Sequence, residues 1–260
     1  MRAEYKNIVY SADENITQIK FNRPQKLNAF TKSMWEEFTE AINQANTNNT
    51  KLIIIYGDDR SFSAGDDIPS MYNLNNNNEA YEFFATLEKT IYSLINTEKP
   101  LIGSVNGIAY GGGCEILMLM DIVIATKESK FALPEVRLGL IPPIALAVGY
   151  SVIGLKQVNR LALIGGAIDV FEAQRIGLVD YIVENHQLKD KTLEIAWKII
   201  ANDYSAINLI KKWSNKHKLQ LQKEVNEVIK NLSDLSLNSS SKVRMQSFIE
   251  KEQEEISLFC

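Results

Sequence analysis

KPLIGSVNGIAYGGGCEILMLMDIVIA, residues 99–125, decides the fold. Pro100 precedes LIGSV (101–105), which reads as a buried strand. A glycine loop follows, NGIAYGGG (106–113), then a helix from about Gly113 to Met120, then a strand at 122–126. The same order stands upstream. LIIIY (52–56) reads as a buried strand, SFSAGDD (61–67) as its loop, and 79–96 as its helix, with Phe83, Phe84, Leu87, Ile91, Leu94 and Ile95 inward. The two strands start 49 residues apart, and this recurrence predicts successive turns of a right-handed β/α coil.

Further out, strand signals at 6–10 and 15–22 precede a helix at about 32–46 with Met34, Trp35, Phe38, Ala41, Ile42 and Ala45 on one face. A helical stretch is expected at about 143–164, a short helix near 172–176 and a strand at 179–183. Residues 188–257 are helical in pattern. The chain therefore divides into a mixed α/β core, 1–185, and a helical region, 186–260. With 260 residues, a net charge of −4, two Cys and two His, it offers no disulfide scaffold, no zinc cluster and no global basic field for nucleic acid. No apolar run reaches membrane-spanning length, so a soluble, cytoplasmic protein without membrane or nucleic-acid partners is expected. The Lys-rich segment 205–230 (Lys211, Lys212, Lys216, Lys218, Lys223) reads first as a solvated helix face.

The chemistry is concentrated in the two loops. Ser63-Ala64-Gly65 and Gly111-Gly112-Gly113 keep side chains small after the carboxyl ends of two buried strands, where α/β folds place ligands. Side by side, two such loops can aim two N–H groups at one oxygen, as an oxyanion hole does; alone, each is equally a tight turn. There is no GxxxxGK[ST], no GxGxxG and no GxSxG. Glu115 is a charge in the first turn of an apolar helix, CEILMLM, and Glu135 follows 20 residues later in LPEVRLG. Burial and the helix end would pull Glu115 in opposite directions, which suits a proton-handling group. Asp66 and Asp67 read as loop caps in the first instance.

Taken together, NRPQKLNAF (22–30), SFSAGDDI (61–68), residues 99–125, FALPEVRLGLIP (131–142) and AIDVFEAQRIGLVDYIV (167–183) resemble the successive signatures of the enoyl-CoA hydratase/isomerase (crotonase) superfamily. The resemblance implies an α/β crotonase-like spiral of ββα units with a helical C-terminal trimerisation region. It implies an acyl-CoA thioester substrate, a homotrimer or dimer of trimers, no metal, and no cofactor beyond the coenzyme A of the substrate. By position, Glu115 and Glu135 match the catalytic glutamates, and the N–H groups of Ala64 and Gly112 the oxyanion hole. Lys26, Leu27 and Ala29, with Ala64, Gly65, Asp66, Asp67, Ile68 and Gly112, match the stretches that bind substrate and CoA.

The match breaks after Glu135. Family hydratases continue with a proline and a Gly-rich turn; here the text is Pro142-Pro143-Ile144-Ala145-Leu146. Pro143 lacks an N–H, so a donor that would orient an acid or a water is expected to be lost. Glu115 favours hydration of a 2-enoyl-CoA; the altered turn is similar to some Δ3,Δ2-enoyl-CoA isomerases. A weakly active binding or scaffold protein is the alternative from another class.

Overall fold

The computed structural model describes residues 5–257. The chain opens with an antiparallel pair, β1 (Ile8–Ala12) and β2 (Ile16–Phe21). Helix α1 (Lys32–Thr47) starts where the Thr31 side chain accepts the Met34 N–H at 3.3 Å. It buries the expected face from Met34 to Ala45. Strand β3 (Leu52–Tyr56) pairs in parallel with β2. The short strand β4 (Ser61–Ser63) follows, then α2 (Ile68–Tyr72) and α3 (Asn77–Ile95). The unit then repeats as β5 (Leu101–Val105), β6 (Ile108–Tyr110) and α4 (Gly112–Glu115), which tightens into a 3-10 turn over Ile116–Leu119. It begins again with β7 (Ile122–Thr126) and β8 (Lys130–Ala132).

Each turn of the coil sends its first strand to one sheet and its second to another. With β9 (Ile168–Asp169) and β10 (Tyr181–Val183), the large sheet runs β1-β2-β3-β5-β7-β10 and the small one β4-β6-β8-β9. The loops read from sequence at 61–67 and 106–113 thus each contain a strand of the small sheet. Alternation along β3 explains LIIIY: Ile53 and Ile55 join the main core with Phe21, Phe30, Trp35 and Phe62, while Leu52 and Ile54 face the second apolar layer. That layer is completed by Ile195 and Ala196 of α8 (Leu188–Ile200).

The stretch at 143–164 is not one helix. Residues 143–152 form the first part, π-wound over Ala145–Gly149 and ending as α5 (Tyr150–Val152). Gly154, at φ +85°, turns the chain before α6 (Leu155–Ile164). After α7 (Val170–Arg175), the C-terminal helices are α8, α9 (Tyr204–Leu219), α10 (Gln222–Ser236) and α11 (Ser239–Ser257). Val225, Ile229, Leu232 and Met245 belong to the same apolar cluster as Trp35 and Phe62, so the last helices fold back over the core. Among the described residues, no helix is long and apolar enough to cross a membrane.

Candidate active site

Strands β4 and β6 are parallel neighbours, so the loops that leave their carboxyl ends lie side by side. The glycines let the two backbones touch. A Cβ on Gly113 would stand 2.6 Å from the Ser63 carbonyl oxygen, and one on Gly65 2.8 Å from that of Tyr110. Gly65 also holds φ at +89°, which L side chains rarely adopt. The glycines therefore permit close packing, and that packing also brings two ligand loops together.

Two N–H groups at this junction, those of Asp66 and Gly112, are left without an acceptor among the described residues. Ala64 corrects the sequence reading: its N–H donates to the Leu27 carbonyl at 2.9 Å and is not available to a ligand. Two residues on, Phe30 forms a parallel bridge with Asp66, donating to the Gly65 carbonyl at 2.7 Å and accepting from Asp67 N–H at 2.8 Å. In such a bridge the central residue turns its own N–H to the opposite edge. Among the described residues neither the Asp66 nor the Gly112 N–H has a partner. A Cβ on Gly65 would lie 3.2 Å from Gly112 N, which puts the two loops in contact at this point.

Glu115, 1% exposed, sits at the end of α4. Its Oε1 accepts the Ala145 N–H at 2.9 Å. The loss expected from Pro143 does not occur at this acid, because the proline only starts the helix and the next turn supplies the donor. Glu135 opens a 3-10 turn after β8, and its Oε2 is buried without a hydrogen-bond partner. A Cβ on Gly111 would stand 3.1 Å from Glu135 Oε1, so this acid lies against the glycine loop. Burial lifts Glu115 well above the usual carboxylate range, reinforced by the charge of Glu135 and opposed by the Ala145 N–H. Burial likewise lifts Glu135 to about 8 and Asp66 to about 6. Cys114, buried beside them, has its thiol pushed up by burial and by both glutamates.

The stretch around Leu27 also reaches this place. Leu27 and Asn28 both adopt left-handed backbone, φ 49° and 57°, a strained pair that no sequence signal announced. Asn28 holds it, donating to Asp58 and the Ser61 carbonyl and accepting from Arg23 N–H. Ala29 and Leu27 thus run alongside 64–66, while Lys26 is exposed at the rim. Asp67 is differently employed. Its carboxylate caps α2 and pairs with Arg23 at 2.6 Å, which holds it below the usual range despite burial. Its side chain is therefore bound within the protein, as the capping reading implies.

Ala64, Asp66, Ile68, Gly111, Gly112, Glu115 and Glu135 line one cavity of about 40 Å³. Met71, Leu138, Ile141, Pro143 and Leu232 form its apolar part, Leu232 arriving from α10. A larger hollow of about 420 Å³ lies elsewhere, beneath α8, among Lys20, Tyr56, Asp58 and Lys189. It contains none of the residues that the resemblance assigns to substrate or catalysis; those that line a cavity line the smaller one.

The family model of enoyl-CoA hydratase/isomerase matches residues 11–256. The chain belongs to the enoyl-CoA hydratase/isomerase family. A family member from Syntrophomonas wolfei, crotonyl-CoA hydratase, is 36% identical over 214 residues, covering 81% of this chain and 82% of the relative. Short-chain-enoyl-CoA hydratase of Clostridium acetobutylicum is 34% identical over 216 residues, covering 82% of each. In fold, the enoyl-CoA hydratase of Bacillus halodurans superposes with a TM-score of 0.88, at 22% identity, over 93% of this chain and all of that one.

Proposed function

We propose that the protein hydrates a short 2-enoyl-CoA thioester, adding water across C2–C3. The observation that carries this is the union of two unpaired N–H groups with two buried carboxyls in one cavity. The names of the relatives from S. wolfei and C. acetobutylicum support the same activity. The thioester oxygen lies between the N–H groups of Asp66 and Gly112, which stabilise the enolate oxygen as charge reaches it. Glu115, whose anion the Ala145 N–H favours, accepts a proton from water as the water oxygen bonds to C3. The C2–C3 π electrons move towards the thioester, and the protonated Glu135 gives its proton to C2. Proton return from Glu115 to Glu135 resets the pair. CoA is part of the substrate, and no step requires a resident cofactor. Lys26, Leu27 and Ala29 border the CoA portion, with the 64–68 loop opposite.

Assembly as a trimer or dimer of trimers belongs to the same reading, supported by exposed Leu163, Ile164, Phe171, Leu209, Ile210 and Trp213. The deciding experiment supplies crotonyl-CoA and a 3-enoyl-CoA in ¹⁸O-labelled water. Label at C3 is expected. A migrated double bond without label would make the protein an isomerase, and binding without turnover would make it a scaffold. Glu135→Gln is expected to reduce kcat by roughly 10²–10⁴-fold while thioester binding, read by calorimetry, stays within a few-fold. Turnover at the wild-type rate would remove Glu135 from the reaction.

A further inference from the structure

The catalytic cavity contains a third carboxyl, and the reaction just described assigns only its backbone a task. Asp66 Oδ1 accepts the indole N–H of Trp35 at 2.8 Å. Trp35 is fully buried and stacked on Phe30, ring centroids 3.9 Å apart and planes within 14°, so the carboxyl is fixed in direction. Its Oδ2 faces the glycine loop, where a Cβ on Gly112 would stand 3.8 Å away. Glu135 Oε1 lies against the preceding residue, Gly111. The two acids thus flank one turn of backbone, with Glu115 three residues further along the chain.

The charged and titratable groups around Asp66 are few. Asp67 stands next to it in the chain, Glu115 shares the cavity from α4, and Glu135 from the 3-10 turn after β8. Asp67 is paired with Arg23 at 2.6 Å, and its charge still helps to raise Asp66. The residues that line the cavity include no Lys, Arg or His. A negative charge on Asp66 therefore reaches both glutamates through a space that holds no cationic side chain.

We propose that Asp66 is a positioning residue for the catalytic proton: its carboxylate, aimed by Trp35, adds the charge that keeps Glu135 protonated in the working enzyme. The inference rests on the hydratase reading for its consequence, but the charge coupling itself does not. Asp66 titrates at about 6 and Glu135 at about 8, so Asp66 ionises first, and its charge is among the causes that raise both glutamates. Glu115 and Glu135 titrate as a coupled pair, and the Asp66 charge bears on both. The sign follows. Removing the Asp66 charge makes Glu135 lose its proton at lower pH. Below about pH 5 Asp66 is itself neutral, and its removal then changes little.

Asp66→Asn keeps the shape and can still accept from Trp35, while it carries no charge. Two measurements test the idea. The carboxyl stretch of Glu135, isolated by infrared difference against Glu135→Gln, is titrated from pH 5 to 9.5 without substrate, in wild type and in Asp66→Asn. Its midpoint is expected to fall by about one pH unit. The alkaline limb of kcat/KM for crotonyl-CoA is expected to move down with it, so that the ratio of variant to wild-type kcat/KM falls several-fold between pH 5 and pH 8. Asp66→Glu, which restores a charge, is expected to return the infrared midpoint towards wild type. An unmoved infrared midpoint in Asp66→Asn would overturn the proposal while leaving hydration intact. A shifted midpoint in a protein that hydrates nothing would sustain the coupling and sink the hydratase reading instead.

Discussion

At the scale of single residues, the site divides into what side chains advertise and what backbone direction conceals. Glu115 and Glu135 were legible because a carboxylate amid CEILMLM, and another after an apolar strand, break the surrounding pattern. The second unpaired N–H was not. Ala64, Gly65 and Asp66 are equally small or polar in the text, and only the bridge to Phe30 decides which N–H is left over. Lys211 was concealed for the opposite reason. It stands in a basic run that reads as a wet helix face, yet its side chain is 4% exposed and pairs with Asp121 at 2.7 Å. Asp121 also accepts the Leu101 N–H at the head of β5, so the pair fastens α9 to the sheet. Lys211→Ala is expected to lower unfolding free energy by about 1–3 kcal/mol in urea titration, because it removes the charge-assisted hydrogen bonds that a buried ammonium makes to Asp121. An unchanged midpoint would place the pair with exposed ion pairs, which contribute little.

At the scale of elements, strands buried on both faces were read to the residue, as at 52–56, 101–105 and 122–126, because continuous apolar runs leave no other solution. The helices after Glu135 were read less well. Pro142-Pro143 starts a helix, as proline at a first turn should, but a π turn and Gly154 then divide it. That π turn has a use: it begins at Ala145, whose N–H holds Glu115. Helix α10 contributes the far wall of the apolar pocket through Leu232, and α11 is tied to α2 by Lys242, which donates to the carbonyls of Tyr72 at 2.6 Å and Met71 at 3.2 Å. Met71, Ile141 and Leu232 bound the apolar part of the cavity. Leu232→Ala is expected to raise kcat/KM for a C8 substrate relative to C4 by roughly 10-fold, the usual scale for a methylene or two in an apolar pocket. An unaltered C8/C4 ratio would show that the acyl tail leaves by another route.

At the scale of the molecule, three buried acids bind protons more tightly in the folded chain than in the unfolded one. Between about pH 4, where free carboxyls ionise, and about pH 8, where Glu135 does, the native state carries the extra protons, and stability falls as pH rises. Glu135→Gln is therefore expected to be more stable than wild type at pH 8.5, by on the order of 1–3 kcal/mol or about 2–4 °C in Tm per kcal/mol, and nearly equal at pH 5. The same Tm difference at both values would mean that Glu135 titrates normally. A site that costs stability in this way must be enclosed by the rest of the fold, and the closing wall comes late in the chain. Because Leu232 lies on α10, which begins only after 221 residues, the wall that closes the pocket is the last part of it to be translated.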